Sequence, residues 1–130
     1  MILELDQCIR TLDEIVAEVT DDYVYTERVD GSCVYVTMGK PSCIIGHLVA
    51  RLAPNLLLDL YGCDVGASNA FLRLGIVIEG PYDSFLFDQI QYLQDNGVEW
   101  RWIMRVYHTL GRPGVDNLQE HVRKHCEGKI

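Results

Sequence analysis

Basic side chains are scarce in this sequence, which has 11 Lys and Arg residues against 19 Asp and Glu residues and a net charge of −8. Nucleic-acid binding needs Lys and Arg to neutralise phosphates, so this balance argues against a nucleic-acid partner. The last segment, residues 101–130, has the opposite balance, with six basic and three acidic residues. We interpret this basic segment as complementary to the acidic residues 1–30, within the fold or across a homodimer, with an external anion as the alternative.

Long apolar runs are also missing. The longest apolar stretch, residues 43–58, is interrupted by His47, Arg51 and Asn55, so it is too short and too polar to span a bilayer. The first residues lack the basic segment followed by an apolar segment that marks a signal peptide. We therefore expect a cytoplasmic protein without a membrane partner.

Paired cysteine motifs and phosphate-binding loops are absent as well. The five cysteines are Cys8, Cys33, Cys43, Cys63 and Cys126, and none belongs to a Cys-x-x-Cys pair. Their odd number argues against a secreted disulfide framework, so we expect Cys33 and Cys43 to be reduced, although they could lie close enough to bridge. Because no glycine-rich loop ends in Gly-Lys-Ser or Gly-Lys-Thr, we predict no cofactor.

Apolar residues, in contrast, are plentiful at 48%, and a chain of this length forms one core and one domain, residues 1–130. Residues 5–19 show the alternating four and three spacing of an amphipathic helix. The same periodicity predicts two neighbouring helices near residues 84–95 and 100–110, and a last helix begins after Asp116. The predicted inward positions are Leu5, Ile9, Leu12, Val16 and Val19, then Leu86, Ile90 and Leu93, then Trp100, Ile103, Tyr107 and Leu110.

A β-hairpin is predicted after the first helix. Asp30-Gly31 supplies the positive φ angles of a tight turn, and β-rich runs flank it at residues 23–29 and 32–37. An isolated hairpin is only marginally stable, so it must lie against helices. The predicted fold is therefore a mostly helical α+β domain with one small β-hairpin.

The segment after the hairpin contains a helix from about Pro41 to Leu52, since Pro suits a first helical turn. Gly46 costs about 1 kcal/mol there relative to Ala, which indicates close packing of another element, such as the hairpin. The expectations for residues 55–80 are a short helix or turn at 56–61, a helix at 69–74 capped by Ser68 and closed by Gly75, and a strand or buried connector at 76–78.

Two segments resemble known sequences. The first, DGSCVYVTMGKPSCIIGHLVARL, contains Cys33-x-Tyr35 and Gly39-x-Pro41-Ser42-Cys43-Ile44-x-Gly46-His47, and the second, FDQIQYLQDNGVEW, contains Gln94-Asp95-x-Gly97-x-x-Trp100. Together they resemble uncharacterised small proteins of actinobacteria and their phages. The resemblance implies that origin and implies no activity.

Cys43 and His47 are the candidate catalytic residues. In the first turn of the predicted helix, unpaired N–H groups and the helix dipole would stabilise a Cys43 thiolate. His47 lies four residues later on the same face and could act as a base. The apolar neighbours Ile44, Ile45 and Leu48 favour the opposite interpretation, a packed cysteine beside a hydrogen-bonded histidine.

A metal site is a further hypothesis for the same residues. Cys33, Cys43 and His47 would supply three ligands, and the fourth would come from His121, His125 or Cys126. His121 and His125 have the spacing that lets two imidazoles share a metal. The remaining spacings are not those of zinc sites, so we predict that the protein binds no metal.

Trp102 and Arg105 are the candidate binding residues. They fall on a different helix face from Trp100, among other basic residues. Exposure of Trp102 and Val106 would indicate a protein-contact surface, whereas burial would indicate a second packed face.

These observations favour a small cytoplasmic protein that binds or regulates another protein. With the phage origin that the resemblance implies, we extend this expectation to a phage product that acts on a host protein. The alternative is a small Cys–His hydrolase or metal-dependent enzyme that uses Cys43 and His47. Rapid alkylation of Cys43 at neutral pH would favour the enzyme.

Overall fold

Residues 1–26, 28–29, 32–80, 85–110 and 120 are described by the structure, a computed structural model of the chain. Several predictions made from the sequence lie outside these residues. They are the turn at Asp30-Gly31, the predicted start of a helix near residue 84 and the last helix after Asp116.

Most of the described residues lie in helices, which confirms the mostly helical α+β class. The α-helices are α1 (Leu5–Ala17), α2 (Ile44–Leu52), α3 (Ala67–Leu74), α4 (Phe85–Asp95) and α5 (Trp100–Leu110), and a 3-10 helix spans Pro54–Leu60. The strands are β1 (Ile2–Glu4), β2 (Arg28–Val29), β3 (Ser32–Cys33), β4 (Val36–Thr37), β5 (Lys40–Pro41) and β6 (Val77–Glu79). In the described part of the chain, no helix is both long enough and apolar enough to cross a membrane.

The apolar stripe of α1 packs into the core as its periodicity predicts. Leu5, Ile9, Leu12 and Val16 are buried, and Val19, just past the helix, is partly buried against the same core. Leu86, Ile90 and Leu93 of α4 are likewise buried, as is Trp100 of α5. The core therefore lies between the amphipathic helices, where each apolar face is removed from water.

The hairpin is present but shorter than predicted. β2 and β3 pair antiparallel over two residues each, with Arg28 opposite Cys33 and Val29 opposite Ser32. A second antiparallel pair, β4 and β5, follows directly and was not predicted. Its turn is Met38-Gly39, where φ is +53° and +78°, the positive values that a two-residue hairpin turn requires.

This second hairpin changes where α2 begins. The sequence predicted a start at Pro41, but Pro41 belongs to β5 and pairs with Val36. The helix begins at Ile44 instead, with Cys43 in the extended N-cap conformation. The prediction was wrong by three residues because Pro is compatible both with a first helical turn and with an edge strand.

A parallel strand pair joins the two halves of the chain. β1 precedes α1 and pairs with β6, with Ile2 opposite Val77, Leu3 opposite Ile78 and Glu4 opposite Glu79. The sequence prediction left residues 76–78 open between a strand and a connector, and the strand is observed one residue later, at Val77–Glu79. It did not include β1, whose partner lies more than 70 residues away.

The remaining predictions for residues 55–80 are close to the structure. The expected short helix or turn is the 3-10 helix, and α3 begins at Ala67 with Gly66 rather than Ser68 as its N-cap. Gly75 ends α3 at a φ of +72°, the left-handed conformation typical of a helix C-terminus.

Helix α5 lies beside α1 and contacts acidic residues on and just after that helix. The Arg101 guanidinium contacts the Asp21 carboxylate at 2.7 Å, and His108 Nε2 lies 2.9 Å from an Asp13 oxygen. Part of the basic segment that begins at residue 101 therefore complements the acidic first segment within the fold, as the charge distribution suggested.

Candidate functional site

Cys43 lies at the N-cap of α2, one residue before the helix, and its side chain is completely buried. Its Sγ accepts a hydrogen bond from the backbone N–H of Gly46 at 3.4 Å. Sulfur thus occupies the position that a serine or aspartate oxygen takes in most helix caps. A substrate would reach this thiol only after local opening of the surrounding core.

His47 lies one turn later and packs against aromatic rings. Its backbone N–H donates to the Cys43 carbonyl at 2.9 Å. Its imidazole meets the Trp100 indole edge to face, with ring centroids 5.8 Å apart, and the same indole meets Tyr23 at 4.7 Å. Edge-to-face packing is a common stabilising arrangement of aromatic side chains, and it gives His47 a structural role beside the core.

Among the described residues, no group of three His, Cys, Asp or Glu side chains could hold a metal ion. Cys8, Cys43 and Cys63 form no disulfide among the described residues. The other ligands that the sequence suggested are the Cys33 side chain and residues 121, 125 and 126, which lie outside the described part. Within the described residues, Cys43 and His47 therefore belong to no metal-binding set, and the part of the hypothesis that uses the other four ligands stays a prediction.

Three polar residues of α4 form contacts that the sequence analysis missed. Gln94 Oε1 accepts from the Ile44 N–H at 2.7 Å, and Gln91 Oε1 accepts from the Ala67 N–H at 2.8 Å. Asp88 Oδ1 accepts from the neighbouring N–H of Ser68, also at 2.8 Å. One face of α4 thus caps the N-termini of both α2 and α3, where the first N–H groups have no partner inside their own helix.

Gln91 also connects this face to the strands. Its Nε2 donates to the Tyr35 hydroxyl at 2.8 Å, and that hydroxyl donates to the Val65 carbonyl. The signal in the sequence was the spacing of Asp88, Gln91 and Gln94, which repeats every three residues beside the apolar stripe of α4. Buried polar side chains at helical spacing indicate specific hydrogen-bond partners, but not which ones.

Gly46 brings α2 against the segment that links the two hairpins. A Cβ atom on Gly46 would lie 2.2 Å from the Tyr35 carbonyl oxygen, far inside van der Waals contact. The prediction that Gly46 marks a close approach of the strand region is confirmed. The buried Tyr25 hydroxyl holds the same link by accepting from the Val34 N–H at 3.1 Å.

Trp102 and Arg105 form a small surface on the outer side of α5, which we call the Trp102–Arg105 surface. The Arg105 guanidinium carbon lies 5.3 Å from the centre of the Trp102 ring, a cation–π geometry. Arg105 is exposed and forms no ion pair within the described part of the chain, and Trp102 is half-buried. Of the two alternatives left open for Val106, burial is the one observed, because Val106 packs in the core.

Comparison of the chain with protein-family models, with curated proteins and with solved structures found no match.

Proposed function

We propose that this is a cytoplasmic protein that binds or regulates another protein, and that the Trp102–Arg105 surface makes the contact. The observation that carries the proposal is the Arg105 guanidinium stacked over a partly exposed indole, with no carboxylate partner among the described residues. Trp and Arg are the residue types in which binding energy concentrates at protein interfaces. A planar cation held against an aromatic ring loses little side-chain freedom on binding.

The charge pattern of α5 supports an acidic partner. Arg101 and His108 already have carboxylate neighbours in the chain itself, at Asp21 and Asp13. Arg105 lies between them in sequence and has no such neighbour in the described residues. A partner that presents a carboxylate to Arg105 and an apolar group to the exposed part of Trp102 would contact both members of the surface. The resemblance to actinobacterial and phage proteins extends the proposal to a protein of a bacterial host.

The test begins with capture of binding proteins from an actinobacterial lysate on the immobilised full chain, followed by affinity measurements with each purified candidate. Arg105→Glu should lower the affinity for the true partner by at least about thirtyfold, which is the effect of losing one hot-spot residue. Arg105→Lys keeps the charge but loses the planar stacking. Its affinity for the partner should therefore lie between the affinities of Arg105→Glu and the wild type.

Arg10→Glu is the matched control, because Arg10 is an exposed arginine on α1 and the net charge changes equally. Equal loss of affinity in Arg10→Glu and Arg105→Glu would show a non-specific charge effect and would contradict the proposal.

The acidic partner surface could also be helix α1 of a second copy of this chain. Size measurement of the free chain in solution tests this alternative. A dimer that Arg105→Glu dissociates would assign the surface to self-association.

A further inference from the structure

The outer face of the β1–β6 pair exposes two aliphatic side chains in direct register. Ile2 lies opposite Val77, and these side chains are 62% and 57% exposed. Leu3 and Ile78, which point to the other face, are buried in the core. Alternation along a strand thus leaves one face of this small sheet apolar and uncovered at its start.

The other end of the same face is acidic. Glu4 and Glu79 lie opposite one another in register, and both are exposed. Neither carboxylate forms an ion pair or hydrogen bond within the described residues, and the Glu4 side chain does not cap α1. Like charges directly opposite each other destabilise a sheet. The face therefore combines exposed aliphatic groups with an unrelieved repulsion.

The outer edge of β1 is open to main-chain pairing. The Val77 N–H donates to the Met1 carbonyl at 2.9 Å, so in the parallel ladder the N–H and C=O of Ile2 point away from β6. Within the described part of the chain, no backbone hydrogen bond joins Ile2 to another element. An edge of this kind accepts an added strand.

We propose that this face and edge bind an extended segment of a partner protein, which adds a third strand beside β1. The segment carries an aliphatic side chain next to Ile2 and a Lys or Arg two residues away, next to Glu4. The long side chain of that cation extends across the face toward Glu79, one strand further on. Side chains two residues apart share one face of a strand, so one short segment covers the apolar pair and neutralises the two carboxylates. This site is separate from the Trp102–Arg105 surface and prefers the opposite charge.

The test uses displayed peptides in which threonines alternate with randomised positions, selected on the immobilised full chain. Enriched peptides should combine an aliphatic residue with a Lys or Arg at the adjacent randomised position. Their affinity, measured by fluorescence polarisation of labelled copies, should fall by at least about tenfold for Glu79→Lys. Glu79 is preferred to Glu4 for this variant because Glu4 also lies at the favourable N-terminus of α1.

Asp59→Lys is the matched control, since Asp59 is an exposed acid in the 3-10 helix and the charge reversal is the same. It should change peptide affinity by less than about twofold. Glu79→Lys should also raise the melting temperature of the free chain by about 2–4 °C, because an opposite-charge pair replaces a like-charge pair.

Three results would overturn the proposal. The first is enrichment of peptides without a cation, or no enrichment at all. The second is equal peptide binding by the wild type and Glu79→Lys. The third is a dimer of the free chain that dissociates in Glu79→Lys, which would make a second copy the occupant.

Discussion

The side-chain oxygen of Gln94 accepts a 2.7 Å hydrogen bond from the backbone N–H of Ile44, which joins α4 to the first residue of α2. The two residues are 50 positions apart in the chain, and both are completely buried. A buried helix N-terminus must find acceptors for its free N–H groups. Here another helix provides one, so the position of α2 depends on α4.

We expect Gln94→Met to destabilise the protein by about 1–3 kcal/mol, because Met keeps the length of the side chain but leaves the Ile44 N–H buried without its acceptor. The free energy of unfolding from urea titration measures the effect. Tyr92→Met, at an exposed position of the same helix, should stay within about 0.5 kcal/mol of the wild type. Equal values for the two variants would contradict the capping role of Gln94.

Gly46→Ala should destabilise the protein by about 3 kcal/mol, at the upper end of overpacking costs. Helix propensity alone predicts the opposite, a gain of about 1 kcal/mol. The difference arises because the new methyl group would meet the Tyr35 carbonyl oxygen. The free energy of unfolding of Gly46→Ala, from urea titration, should be compared with that of Ala50→Gly in the same helix, which should cost about 1 kcal/mol through helix propensity alone. The comparison separates the steric clash at Gly46 from the effect of helix propensity.

Trp100 and Trp102 should respond differently to truncation. Trp100 is 1% exposed and packs against Tyr23 and His47, so Trp100→Ala should cost about 3–5 kcal/mol. Trp102 is half-buried, and Trp102→Ala should cost about 1 kcal/mol while weakening partner binding. Thermal melts of both variants measure the difference. If Trp102→Ala unfolds the domain as readily as Trp100→Ala, Trp102 belongs to the core and the proposed contact surface loses its aromatic member.

Cys8 should make stability decrease at alkaline pH. Burial raises the pKa of its thiol from 9.0 to about 11. Below pH 9 the thiol is protonated in both the folded and unfolded states. Between pH 9 and 11 the unfolded state loses the proton first, so the folded state is progressively less favoured as the pH rises.

Urea titrations at several pH values from 8 to 11, compared between the wild type and Cys8→Ala, isolate this contribution from that of the other titrating groups. The variant should lose less stability over this range than the wild type. The Cys8 thiol should also react with iodoacetamide more slowly than the half-buried Cys63 in the native protein, because a buried neutral thiol is a poor nucleophile. Parallel pH curves for the two proteins would contradict the prediction.

The sequence alone determined the elements whose signals are local. The four and three spacing in α1, α4 and α5 is a property of a single helix, because a helix that buries one face repeats its apolar residues with that period. Asp30-Gly31 between two β-rich runs predicted the first hairpin, and Gly75 predicted the end of α3. The unfavourable Gly46 inside a helix indicated a close neighbour before any neighbour was known.

Only the tertiary structure decided which distant groups meet. Strand β1 is three residues long and exists because β6, far along the chain, pairs with it. Cys43 is the cap of α2 and not a first-turn residue, because Pro41 pairs in β5 and the helix begins later. Gln94 accepts from Ile44 because α4 packs against the start of α2. Periodicity reports which face of an element is buried, but the partner of a buried hydrogen-bonding group is set by how the elements pack, and that pairing leaves no local pattern in the sequence.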